Sequence, residues 1–267
     1  MAGVCGGCIP CLAGTDACCT NGKISGYYTP GTFQQYTLAP ANYVTPIPDG
    51  LASDIAAPML CGGVTVYSAL SKSRAKPGEW VVIPGSGGGL GHLALQIGAR
   101  GMGYRMIGID MGDKEKLSKD CGAEVFFSLN DYSRDKEGSA KLAADVKKAT
   151  GSQAGAAAVV VCTASNVAYG QAMDFLKFNG TVVCVGIPEG ETVPIANADP
   201  AKFIVQQLNV VGSAVGNRKE AIETLEMAAR GIVKTHIKVE KMDKLNEVFE
   251  AMDKGKLQGR VVLDLSA

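Results

Sequence analysis

The chain has 267 residues, enough for one large domain or two modest ones around a buried core. Hydrophobic residues make up 46% of it and the mean hydropathy is +0.11, a globular balance that excludes a disordered chain. Basic and acidic residues stand at 26 each, giving no bias towards nucleic acid or anionic lipid, and no run of about 18 apolar residues predicts a membrane span.

The N-terminus, MAGVCGGCIPCLAG, has neither a basic start nor a long apolar stretch and does not read as a signal peptide. Five of the nine cysteines fall between positions 5 and 19, and an odd total argues against a fully paired secreted framework. Metal chemistry in a reducing compartment, the cytoplasm, is the expectation. Residues 1 to about 45 read as loop, ending in a possible strand, FQQYTLA (33–39), and PIPDG (46–50) reads as a linker. Long periodic segments follow. A helix is predicted over 55–72, a strand over 80–84, a helix over 90–101 and a strand over 105–110. A helix from Lys114, the strand EVFF, a helix over 140–149 and the apolar strand 156–163 come next. A helix from Asn166, a strand over 181–186, a short helix near Lys202 and a strand over 209–215 complete the alternation. The tail reads as helices over 218–230 and 243–254 and a last strand over 260–265. Short β-branched runs alternating with helices predict an α/β fold, a doubly wound parallel sheet covered on both faces.

Between the first of these strands and its helix lies GSGGGLG, residues 85–91. A pyrophosphate needs a sharp turn, amides pointing at it and no side chain in the way. Gly85, Gly88 and Gly91 meet those needs, and the following helix presents its positive end. The strict G-x-G-x-x-G form would place its first glycine at position 86, where Ser86 stands, so the motif is a variant. Asp110 ends the next strand 19 positions beyond Gly91, placed to accept hydrogen bonds from the adenosine ribose and to repel a 2′-phosphate. NAD is therefore expected over NADP. Lys114 is within reach of the same ribose; alone it reads equally well as a solvated lysine at a helix start.

Cys5, Cys8, Cys11 and Cys19 are spaced for a four-thiolate zinc site that ties down a loop without its own core. Cys18 is the alternative last ligand, and disulfides or an iron–sulfur cluster are competing uses of the same cysteines.

These motifs resemble the zinc-containing medium-chain alcohol dehydrogenases, particularly the fungal ethanol dehydrogenase branch. The resemblance runs through CGGCIPCLAGTDACC, GTFQQY, APMLCGGVTVYSAL, GSGGGLGHLALQ, GMGYRMIGID, GSAVGNR and GRVVLDL, essentially the whole chain. It implies a Rossmann NAD-binding domain (62–215) inserted into a GroES-like barrel domain, here partial, formed by 1–61 and a returning segment, 216–267. It also implies that Cys61 is a catalytic-zinc ligand, that Thr65 packs on the nicotinamide, and that Arg260 contacts the pyrophosphate. Gly89, Leu90, Val185 and Ala214 join the cofactor contacts. Read alone, Cys61 is a small hydrophobe at a helix start and Arg260 a surface charge. In the family, zinc polarises the alcohol so that its alkoxide expels hydride to NAD.

One departure bears on activity. Family members carry a segment before the cysteine loop with another cysteine and a histidine ligand. The two histidines here, His92 and His236, match neither and read as surface residues. The expectation is an N-terminally truncated NAD-dependent alcohol dehydrogenase, acting on a primary alcohol in the family but weakly active or inactive as given. The alternatives are a zinc-free quinone or enoyl reductase and a non-catalytic protein that binds NAD and zinc. Two zincs per chain would favour the first, none the second and one the third. A homo-oligomer built on the 209–215 strand, with no nucleic acid or membrane partner, is expected.

Overall fold

The computed structural model describes residues 3–191 and 193–266. The chain divides into two compact units, Met1–Val64 with Ala214–Ala267, and Thr65–Ser213. In chain order, α1 (Ile9–Leu12) lies in the cysteine loop, and α2 (Ser53–Pro58) leads through a π turn (Met59–Gly63) into α3 (Val64–Lys72). Pro58 inside this predicted helix offers no N–H, and the local widening of the helix follows it directly.

The Thr65–Ser213 unit holds a six-stranded sheet. Its strands are β1 (Trp80–Pro84), β2 (Arg105–Asp110), β3 (Ala123–Ser128), β4 (Ala156–Val161), β5 (Leu176–Cys184) and β6 (Asn209–Gly212). Between them run α4 (Gly91–Gln96), α5 (Glu115–Asp120), α6 (Lys136–Ala149), α7 (Asn166–Phe175) and α8 (Pro200–Gln206). A second π turn, Ile97–Gly101, closes α4. The strand order is β3-β2-β1-β4-β5-β6 and every pairing is parallel, the doubly wound order of dinucleotide-binding folds.

Strands covered on both faces can be apolar at every position, and β1 (WVVIP) and β4 (AAAVVV) are buried throughout. Trp80 and Val82 of β1 and Ala156, Val159 and Val161 of β4 join Ile107, Leu142, Val146, Met173 and Phe175 in one core, each burial of a large apolar side chain contributing about 1.5–3 kcal/mol before the cost of ordering the chain. At the start of β1 the single tryptophan, Trp80, is buried with the Arg105 guanidinium 3.8 Å above its ring.

Three boundaries differ from the sequence reading by three residues or more. Helix α6 begins four residues before the expected start because the Asp135 carboxylate caps it, accepting from the Gly138 amide at 2.8 Å. Strand β5 begins at Leu176, which pairs with Ala156 across a register shift. Strand β6 stops at Gly212, and Val215 turns to φ +47°, a left-handed conformation costly for a β-branched residue.

In the other unit, α9 (Arg218–Ala229) starts at an Asn217–Glu220 capping box, and β7 (Ile237–Lys241) pairs in parallel with β8 (Arg260–Asp264). Helix α10 (Leu245–Asp253) joins these two strands. Strand β7 was not expected. The expected strand FQQYTLA does not form, because no neighbouring strand supplies it with a ladder; Phe33, Tyr36 and Leu38 are exposed. Among the described residues no helix is long and apolar enough to cross a membrane.

Candidate cofactor and metal sites

The sheet changes direction of build between β1 and β4, and a crevice opens there beyond the strand ends. The 85–91 turn occupies that point. Gly85 has φ +80°, so the chain reverses at once after β1. The Gly85 amide donates to the Ile109 carbonyl at 2.8 Å, fastening the turn to β2. Gly91 is dictated by close approach: a Cβ there would overlap the Gly85 carbonyl and lie 2.6 Å from Ser86 Cα. Helix α4 can therefore start directly beneath the turn.

Asp110, at the end of β2, is nearly buried. Its Oδ2 accepts from the Gly87 amide at 2.8 Å and its Oδ1 from the Met111 amide at 2.8 Å. The carboxylate is thus fixed against the glycine turn, with lone pairs left for further donors. Lys114 packs its aliphatic stem over Gly87, where an added Cβ would meet the lysine Cβ at 2.5 Å. The backbone of Gly88, Gly89 and Leu90 continues the turn into α4. Val185, just past β5, donates its amide to the Tyr169 hydroxyl at 3.2 Å, and that hydroxyl donates to the Gly186 carbonyl at 2.5 Å.

A cavity of about 360 Å³ opens beside Asp110, lined by Gly85, Leu129, Tyr132, Arg134, Thr163 and Ser165 among others. Apart from Gly85 and Asp110, the sequence reading missed these residues. They come from the segments that follow β3 and β4, and no local spacing announces such a set.

His92 corrects the expectation of a surface position. It is fully buried, and its Nδ1 donates to the Gly88 carbonyl at 2.8 Å, bracing the turn from below. Helix α4 is buried on every side, so no position on it faces water. His236 is exposed.

In the other unit, Cys5, Cys8, Cys11 and Cys19 bring their sulfurs within 4.8 Å of one another. Neighbouring sulfurs are 3.4 to 3.9 Å apart. Tetrahedral zinc with bonds of about 2.3 Å places its sulfurs roughly 3.8 Å apart, whereas a disulfide needs about 2.05 Å. The four thiols fit a zinc ion. Hydrogen bonds from the backbone of Cys11 and Thr20 pull the Cys8 thiol down to about 6, while burial and the neighbouring thiols push Cys11 up to about 12. Such a set cannot ionise fully without a cation among the sulfurs. Cys18 is exposed and lies outside the group.

The loop hangs on three polar anchors. Asn217 Nδ2 donates to the Gly14 carbonyl at 2.9 Å, the Tyr43 hydroxyl to Asp16 at 3.1 Å, and the Arg218 amide to Asp16 at 3.4 Å. Cys61 is exposed in the Met59–Gly63 turn. Among the described residues, the four-cysteine set is the one group of three or more metal-ligating side chains, and Cys61 is not in it. Thr65 is half-buried in α3, Ala214 is exposed, and Arg260 opens β8 with its amide on the His236 carbonyl at 2.9 Å.

The profile of the zinc-binding dehydrogenase family matches residues 89–230. The chain is 59% identical over 266 residues to alcohol dehydrogenase 2 of Emericella nidulans, covering all of this chain and 72% of that protein. It is 41% identical to an alcohol dehydrogenase of Schizosaccharomyces pombe, over 98% of this chain and 71% of the relative. Among solved structures, an alcohol dehydrogenase of Aeropyrum pernix superposes with a TM-score of 0.84 at 27% identity, over 97% of this chain and 73% of that one. An acetophenone reductase of Geotrichum candidum in complex with NAD gives 0.80 at 27% identity, over 98% and 71%. With over half its length matched by one family profile and a relative aligned along all of it, the chain belongs to the zinc-binding dehydrogenases.

Proposed function

We propose that the chain is an NAD-linked alcohol dehydrogenase polypeptide, of the class that converts a primary alcohol to its aldehyde. Thr65–Ser213 carries the dinucleotide, and the remainder is the GroES-like portion with its cysteine lobe. The observation that carries this reading is the glycine turn at the sheet's switch point, with Asp110 bonded to it. Bound NAD supplies the hydride acceptor. This chain's residues hold and orient it. The backbone of Gly85, Gly88, Gly89, Leu90 and Gly91 receives the pyrophosphate, and Asp110 accepts from the ribose hydroxyls and opposes a 2′-phosphate. Lys114, Val185, Ala214 and Arg260 are further contacts, and Thr65 packs on the nicotinamide. The four-cysteine lobe holds a structural zinc.

Cys61, exposed in its turn and outside the four-cysteine set, does not by itself fit a catalytic zinc. Among the described residues the four-cysteine set does not include Cys61, and this favours a second reading for the polypeptide by itself, that of a protein binding NAD and zinc without turnover. Its cysteine chemistry suits the cytoplasm, where thiols stay reduced. A homo-oligomer joined along the β6 edge is the expected assembly.

Purified chain should bind NAD at least about tenfold more tightly than NADP, since a charge conflict of a few kcal/mol opposes the latter. It should carry about one zinc and oxidise ethanol far below the enzyme median of about 10 s⁻¹. Titration of both cofactors, zinc analysis and an ethanol assay test these points. A preference for NADP would sink the cofactor reading. Two zincs with ordinary turnover would sink the second one.

A further inference from the structure

The serine standing in place of the fingerprint's first glycine has a use in this fold. Ser86 is fully buried, and its hydroxyl lies 2.8 Å from that of Ser118, itself fully buried. Ser118 is the buried residue of α5, a position on a helix against a sheet where an apolar side chain is usual. Room for Ser86 comes from Gly108 in β2, where a Cβ would sit 2.8 Å from the Ser86 oxygen. A buried hydroxyl needs a partner, and each of these serines finds one in the other.

We propose that Ser118 is a positioning residue for the cofactor, fixing the glycine turn to α5 through Ser86. Besides the Gly85 and Ser86 amides on the Ile109 carbonyl, two side-chain tethers then join the turn to the β2–α5 segment. One is the Gly87 amide on Asp110; the other is the serine pair. The carboxylate that faces the ribose and the amides that face the pyrophosphate are held as one rigid piece, and preorganisation of that kind raises affinity by lowering the ordering cost of binding. The inference rests on the reading that this turn receives the pyrophosphate.

Removing one hydroxyl of a buried pair leaves the other unsatisfied, whereas removing both is close to neutral for stability. Ser118→Ala should therefore lower the melting temperature and weaken cofactor binding together. The double variant Ser86→Ala/Ser118→Ala separates the two effects, and serves also if the single variant folds poorly. The probes are ADP-ribose, which spans the turn, and adenosine, which lacks the pyrophosphate. In the double variant the melting temperature should return towards wild type while ADP-ribose binding stays roughly fivefold weaker, the value of one lost tether. Adenosine binding should stay within about twofold of wild type. Wild-type ADP-ribose affinity in the double variant would overturn the proposal, as would an equal loss for both probes. If the wild-type chain bound ADP-ribose no better than adenosine, the pyrophosphate reading would fail first and take the proposal with it.

Discussion

Asp110 shows how one side chain can serve both fold and ligand. Its two oxygens already accept from Gly87 and Met111 amides, so replacing it disturbs the turn and, on the reading proposed above, the ribose contact too. Hydrogen bonds to a charged group contribute about 1.5–3 kcal/mol, so Asp110→Asn should weaken NAD roughly 10- to 150-fold. With the charge gone, NADP should lose much less, and the ratio of the two Kd values from titration should fall towards unity. An unchanged ratio would remove Asp110 from cofactor selection. The position of Asp110 at the end of β2, beside the glycine turn, was legible in the sequence because strand, turn, helix and strand follow one another without a break. That of His92 was not: periodicity gives a helix face, but α4 has no exposed face to give.

At the scale of elements, sequence and structure agree best where burial is complete. The strands β1 and β4 announce themselves as unbroken apolar runs, and their ends needed no correction beyond a residue or two. The FQQYTLA segment has equally good strand composition but no partner, and backbone groups without a ladder stay with water. Strand β7 is half exposed and short, so its alternation is faint. The cysteine loop is legible for a different reason, since ligand spacing survives where hydrophobic pattern is absent. Neither of its helical turns buries a residue. Its order rests on the anchors at Gly14 and Asp16 and, on the reading proposed above, on a zinc held by the four thiols. Chelation should therefore release about one zinc and open the loop to proteolysis while the doubly wound sheet persists. Cys19→Ser should abolish zinc binding; Cys18→Ser should leave about one equivalent in place. Metal analysis of the two variants decides which cysteine closes the site, and the reverse result would require the loop to be re-paired.

For the whole molecule, two units of different make-up predict two kinds of stability. Thr65–Ser213 is held by a continuous apolar core, whereas the cysteine-bearing unit has the four-cysteine loop, a capped helix and a two-stranded parallel sheet. The two can be watched by separate signals because of where the one tryptophan lies. Trp80 sits inside the first unit, shielded from water and under a cation, so its emission should be insensitive to the zinc loop. A chelating dye that colours on binding zinc sees only the other. Heating with both readouts then asks whether the polypeptide melts as a single cooperative body. Zinc release several degrees before the red shift of Trp80 is the expected order, and coincident transitions would contradict it. The indole thus makes the protein its own two-channel thermometer, with no label added.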